Sequence, residues 1–166
     1  GDQDRVEAIT KYFDTIEFAT QKREFKTQTG TYKGKRLTVL STGIGPDNID
    51  IVLNELDALV NIDFTTRTIK PQLTQLNIVR VGTSGSLQAD IPVDSILMST
   101  HAIGTDNMLR TYSLNNVTNV SMENAFVTHT NWHPSKGTPY AIAASSKLVA
   151  KFKDSTLHEG ITITAG

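Results

Sequence analysis

Apolar residues recur at helical spacing in residues 4–13, DRVEAITKYF, where Val6, Ile9 and Phe13 share one side and predict a helix. Beyond it, IEFATQKREFKTQTGTYKGKRLTVLSTGIG switches to short apolar and β-branched runs broken by glycine, the pattern of successive strands. Phe25 leads toward a turn near Gly30, and residues 32–36, YKGKR, predict a tight hairpin with Gly34 at its tip. LTVLST predicts a buried strand that ends at Gly43. The helical period returns in IDIVLNELDALV, with Ile49, Val52, Leu53, Leu56, Leu59 and Val60 as its apolar face and Asp47 or Asn48 as its cap.

Residues 61–75 read as a long polar connection. LNIVRVGTSG then gives a buried strand, Leu76 to Val81, running into a loop with almost no side chains, and SILMSTHAIG (95–104) gives another strand. The Asn-rich stretch 113–124 reads as irregular. Residues 139–153, PYAIAASSKLVAKFK, predict an amphipathic helix with Pro139 near its first turn, and GITITAG (160–166) a last strand. Strands alternating with helices, plus hairpins, predict an α/β fold with a mixed central sheet flanked by helices, as one domain over residues 1–166. In such sheets ligands sit beyond the carboxyl ends of strands, where TGIGPDN and RVGTSG both fall.

Composition narrows the choice of partner. A formal net charge of -1 carries no basic excess of the kind bulk nucleic acid or anionic membrane surfaces attract. With no cysteine there is no disulfide, thiolate metal site or cysteine nucleophile, and His101, His129, His133 and His158 lack metal-ligand spacing. No apolar run reaches the ~20 residues a spanning helix needs. Both ends, GDQDRV and ITITAG, are expected to be cuts through something longer.

Candidate chemistry is confined to a few places. GTYKGKR is one residue short of a phosphate loop and has Arg36 where a Ser or Thr is required, so it reads as a hairpin. In RVGTSG, the N–H groups of a glycine-rich turn could form an anion nest, with hydroxyls from Thr83 and Ser84 and a forked cation from Arg80. The alternative is Arg80 snorkelling over a structural turn. Gly1 and Arg5 stand at the mouth of the first helix, where N–H groups also favour an anion, and Arg23 precedes Phe25.

The order GDQDRV, KREF, STGIGPDNIDIVLNEL and RVGTSGSLQADIPVDSILMSTHAIG resembles the nucleoside phosphorylase family, in particular its uridine phosphorylase branch, over residues 1 to about 106. The resemblance implies phosphorolysis of a nucleoside by inorganic phosphate to free base and ribose 1-phosphate, in the cytoplasm. It implies that Gly1, Arg5, Arg80, Thr83 and, across a subunit interface, Arg23 hold phosphate. Thr83, Ser84 and Gly85 would meet the nucleoside, with Arg80 and Thr83 closest to the reaction. No cofactor is implied, only phosphate as co-substrate. The assembly implied is a homo-oligomer, at least a dimer or a hexamer of three dimers.

Three departures stand out: Gln3 for a proline, Lys22 for a histidine, and Asn48 for a serine beside a monovalent-cation site that would also use Glu24 and the Ile44 carbonyl. The residues that read the base in that family would lie beyond residue 166. Purine nucleoside phosphorylase shares the implied phosphate site, and a non-catalytic phosphate- or nucleoside-binding homologue is the non-enzymatic alternative.

Overall fold

The structure is a computed structural model and describes residues 1–114, 116–152, 154 and 156–164. The chain divides into two units, Gly1–Leu76 and Asn77–Gly166.

The first unit opens with helix α1 (Asp4–Thr10), followed by strands β1 (Thr15–Lys22), β2 (Phe25–Tyr32) and β3 (Lys35–Leu40), which form an antiparallel sheet in chain order. α1 packs on β2 and β3 and buries Val6 to 1% exposure, the apolar anchor of this unit. The β2–β3 hairpin forms as expected: Tyr32 pairs with Lys35, and Lys33 and Gly34 both take positive φ (48° and 74°), the backbone of a two-residue primed turn.

Gly30 is not at a turn. It lies inside β2, and a Cβ there would come 2.0 Å from the Thr15 carbonyl oxygen, so glycine is required by the close approach of β1. The preceding turn is Arg23–Glu24, set by the pairing of Lys22 with Phe25. β3 is also not a buried strand: Leu37 remains 43% exposed on the edge of the three-stranded sheet.

Helix α2 (Pro46–Asn61) starts earlier than its apolar period suggested. Pro46 occupies the first turn, where its missing N–H costs nothing, and Gly45 is the cap. Asp47 and Asn48 therefore lie within the helix and do not cap it. Val52, Leu56 and Val60 are half-buried, while Ile49, Leu53 and Leu59 on the expected apolar face are exposed.

The polar connection after α2 is ordered by one side chain. Buried Asn61 accepts from the Thr74 N–H at 2.7 Å and donates to the Thr74 carbonyl at 3.3 Å. Two short strands, β4 (Ile62–Asp63) and β5 (Thr68–Ile69), pair within this span, with the Asp63 carboxylate accepting from the Thr65 N–H.

The expected strand at residues 76–81 does not form. The segment has no ladder, and Val79 and Val81 are 54% and 61% exposed. A strand is stabilised by a regular ladder that takes its backbone donors and acceptors in turn, and without that ladder an apolar run does not become one. The sheet that does form in the second unit is mixed. Strand β6 (Leu97–Gly104) is central, antiparallel to β7 (Tyr140–Ala143) and parallel to β8 (His158–Thr164).

Two further expectations are corrected here. Stretch 113–124 is not wholly irregular, because helix α3 (Val120–Thr130) begins within it, capped by the Asn119 side chain accepting from the Met122 N–H. Residues 139–153 are not one helix: Tyr140–Ala143 is taken by β7, and only helix α4 (Ser146–Phe152) remains. Pairing along β6 supplies a hydrogen-bond ladder that a helical start at Pro139 could not match. Asn115, Lys153, Ala165 and Gly166, which fall in these predicted segments and in the last strand, lie outside the described residues. No helix among the described residues is long and apolar enough to cross a membrane.

Candidate functional site

At one end of the first sheet, three loops are stitched together by side chains. The two-residue turn between β1 and β2 places Arg23 at φ 53°, left-handed and unfavourable for a side chain of its size, with its guanidinium exposed. The Ser41 hydroxyl donates to the Glu24 carbonyl at 2.6 Å and accepts from the Lys26 N–H at 2.8 Å, binding the end of β3 to this turn. The Gln3 side chain donates to the Arg23 carbonyl at 3.0 Å and accepts from Gln21. The nitrogen of Gly1 donates to Thr42 Oγ1 at 3.0 Å and to the Gly43 carbonyl. Gly43 (φ 69°) has no room for a side chain, since a Cβ would lie 2.6 Å from both Asn48 Nδ2 and Glu24 Cγ.

Gly1 and Arg23 are thus joined through a common set of loops. Arg5 is half-buried in the first turn of α1. The helix mouth itself is not an open anion site: α1 has only seven residues, and the Asp2 carboxylate already accepts from the Asp4 N–H at 3.0 Å.

Arg80, Thr83, Ser84 and Gly85 belong to the second unit. Their segment is exposed and carries no secondary structure. Neither Gly82 nor Gly85 has positive φ, so the alternating backbone of an anion nest is not what this loop adopts. What it does bring together is Arg80 and the loop's own main chain: a Cβ on Gly82 would come 2.6 Å from Arg80 Nη1 and 3.0 Å from Cζ. The guanidinium folds over a residue that leaves it the space.

The oxygen set considered for a monovalent cation is engaged otherwise. Asn48 Nδ2 donates to Glu24 Oε1 at 3.0 Å and to the Ile44 carbonyl at 3.1 Å. A donor nitrogen between those two oxygens is the wrong chemistry for a third cation ligand, so these residues do not fit a cation as arranged. Among the described residues no group of three or more His, Asp or Glu side chains is disposed to hold a metal.

Sequence reasoning missed a polar cluster in the second unit. Glu123, 6% exposed, accepts from the Ala141 N–H at 3.1 Å and pairs with Arg110 Nη2 at 2.9 Å. Burial opposes ionisation, but the Arg110 guanidinium and the Ala141 amide outweigh it and hold the carboxyl below its ordinary range. Arg110 also donates to the Pro139 carbonyl at 2.6 Å. Nearby, the Tyr140 hydroxyl donates to Asp106 at 2.9 Å; burial, then the Asp106 carboxylate, pushes it up to about 12. The sequence signal available was the Asn119 cap, which would have placed Glu123 on a helix.

A family model described as the phosphorylase superfamily matches residues 1–166. The chain is 35% identical to a uridine phosphorylase of Haemophilus influenzae over 106 residues, 64% of this chain and 36% of that protein. It is 27% identical to a DeoD-type purine nucleoside phosphorylase of Listeria monocytogenes over 167 aligned positions, 100% of this chain and 57% of that one. The chain thus spans between about a third and three-fifths of these relatives' lengths. Among solved structures, a Trypanosoma brucei nucleoside phosphorylase, described as showing uridine phosphorylase activity, superposes with a TM-score of 0.79 at 28% identity, covering 99% of this chain and 60% of that one.

Proposed function

The chain belongs to the phosphorylase superfamily, and from that premise we propose that the protein cleaves a uridine-like nucleoside with inorganic phosphate. The observation that supports this reading most directly is the likeness to the Trypanosoma brucei enzyme over almost the whole chain, together with the Haemophilus influenzae uridine phosphorylase match over residues that include RVGTSG.

In the proposed reaction a phosphate oxygen forms a bond to the anomeric carbon as the N-glycosidic bond breaks. The electron pair leaves with the base, which takes up a proton, and the products are ribose 1-phosphate and free base. Positive charge builds on the sugar during this exchange, and a dianion held beneath it both stabilises that charge and supplies the nucleophile. Gly1, Arg5, Arg23, Arg80 and Thr83 are the proposed phosphate ligands, with Arg23 serving a neighbouring subunit. Thr83, Ser84 and Gly85 are proposed to face the nucleoside. Catalysis is then positioning plus electrostatics, without a further cofactor, in a cytoplasmic homo-oligomer.

Purine nucleoside phosphorylase is the second reading, favoured by the Listeria monocytogenes relative that aligns along all of this chain. The complete protein assayed on uridine, thymidine, inosine and adenosine, each with and without phosphate, separates the two. Base release from uridine only in the presence of phosphate is expected; preference for inosine or adenosine gives the purine reading, and release without phosphate rejects both.

A further inference from the structure

We propose that Gln3 is a positioning residue for phosphate, acting through the main chain of Arg23; the inference rests on the phosphorolytic reading above. The turn that carries Arg23 is held in an unfavourable left-handed conformation, φ 53°. A residue with a long side chain keeps such a backbone only where its surroundings fix it. Here the turn is fixed from three directions. Gln3 donates to the Arg23 carbonyl at 3.0 Å, Ser41 to the Glu24 carbonyl at 2.6 Å, and Asn48 to the Glu24 carboxylate at 3.0 Å.

Of the three, Gln3 alone bonds to the arginine itself. It is in turn oriented by Gln21, which donates to Gln3 Oε1 from the strand leading into the turn. The same glutamine belongs to the segment Gly1–Arg5, so one side chain couples two proposed phosphate ligands, Gly1 and Arg5, to a third, Arg23. A proline at this position has no side-chain donor and would leave the Arg23 carbonyl without this partner. Gln3 is proposed to act without touching substrate. Its effect is to fix the direction from which the Arg23 guanidinium leaves the hairpin, and an exposed guanidinium on a freed turn samples phosphate less often.

The test uses the complete protein, with Gln3→Met keeping the length and removing the hydrogen bonds. The KM for phosphate is expected to rise about three- to tenfold, the effect of losing one hydrogen bond. The KM for nucleoside, kcat at saturating phosphate and the thermal midpoint should stay within about twofold or a few degrees. In an Arg23→Ala background the same substitution should add nothing, because the residue it orients is gone. Gln21→Leu, which frees the other end of Gln3, should reproduce the direction of the effect, and it serves as the test if Gln3→Met fails to fold. An unchanged phosphate KM, or an equal effect with Arg23 absent, overturns the inference while leaving phosphorolysis intact. Turnover in the parent protein that ignores phosphate overturns the functional reading and this inference with it.

Discussion

Asn48 joins Glu24 to the start of α2 through one nitrogen, donating to the Glu24 carboxylate at 3.0 Å and to the Ile44 carbonyl at 3.1 Å. The amide satisfies both oxygens without an ion. Turnover of the complete protein is therefore expected to be the same, within about twofold, when potassium is replaced by tetramethylammonium at constant ionic strength. Asn48→Ser replaces the two-hydrogen amide with a shorter hydroxyl that has a single hydrogen to donate, so the two oxygens are no longer satisfied together, which should introduce a requirement for a monovalent cation. A parent enzyme that stops without potassium would show that the amide is not an adequate substitute.

Arg80→Ala is the most direct trial of the proposed phosphate site. Removing a charged donor from a transition-state contact costs about 10²–10³ in rate, and that loss is expected in kcat/KM for phosphate. Because Arg80 lies on an exposed segment over Gly82, the thermal midpoint should barely change. Undiminished phosphorolysis by this variant would remove Arg80 from the site.

The proposed role of Arg23 across a subunit interface makes a separate prediction. Arg23→Ala and Arg80→Ala subunits, each nearly inactive alone, should recover part of the parent activity when mixed under conditions where chains exchange. Some mixed pairs would then hold one intact site. Exchange demonstrated by mass labels with no recovery would assign Arg23 to its own subunit or to none.

How these positions could be found from sequence differs between the two units. The hairpin at Lys33–Gly34 was readable because its turn chemistry is local, and so was β6, which follows the turn at Asp90-Ile91-Pro92 and the apolar Ile96 and opens on the apolar residues Leu97 and Met98. Gly30 misled for a physical reason: a glycine needed for a close backbone approach looks the same, in sequence, as one needed for a turn. Residues 76–81 misled in the opposite direction. Their apolar residues are real, but a strand is a property of a pair, and no strand ladder forms along them here. In 139–153 the helical spacing of small and apolar residues hid a strand that only β6 could reveal. The candidate ligands could be nominated because arginines and glycines stand in ordered motifs. The support around them, Gln3, Ser41 and Asn48, could not, since hydrogen bonds between residues fifteen or more positions apart leave no periodic trace.

Gly30→Ala tests the close packing of β1 on β2. Its Cβ would meet the Thr15 carbonyl oxygen at 2.0 Å and Phe13 Cδ2 at 2.9 Å, and backbone on one side cannot rotate away as a side chain could. A loss of about 3 kcal/mol is expected from overpacking of this severity, measured as a lowered denaturation midpoint. An alanine variant as stable as the parent would mean that β1 can shift at its irregularity between Ile16 and Phe18.

The Glu123–Arg110 pair sets an acid limit for the second unit. Burial raises the Glu123 carboxyl, but Arg110 and the Ala141 amide lower it further, so the folded value lies below the ordinary 4.5. The folded state then binds fewer protons than the unfolded one, and the pair's contribution is fully present above about pH 4.5 and lost as pH falls through the folded value. Glu123→Gln removes the charge while keeping the shape, leaving the partly buried Arg110 guanidinium opposite a neutral amide. A loss toward the lower end of about 3–5 kcal/mol is expected at pH 7, because Arg110 retains some contact with water. Chemical denaturation of parent and variant from pH 7 to pH 3 should give curves that converge as the parent carboxyl protonates. A gap that stays constant with pH would show that packing, and not the charge on Glu123, holds α3 against β7.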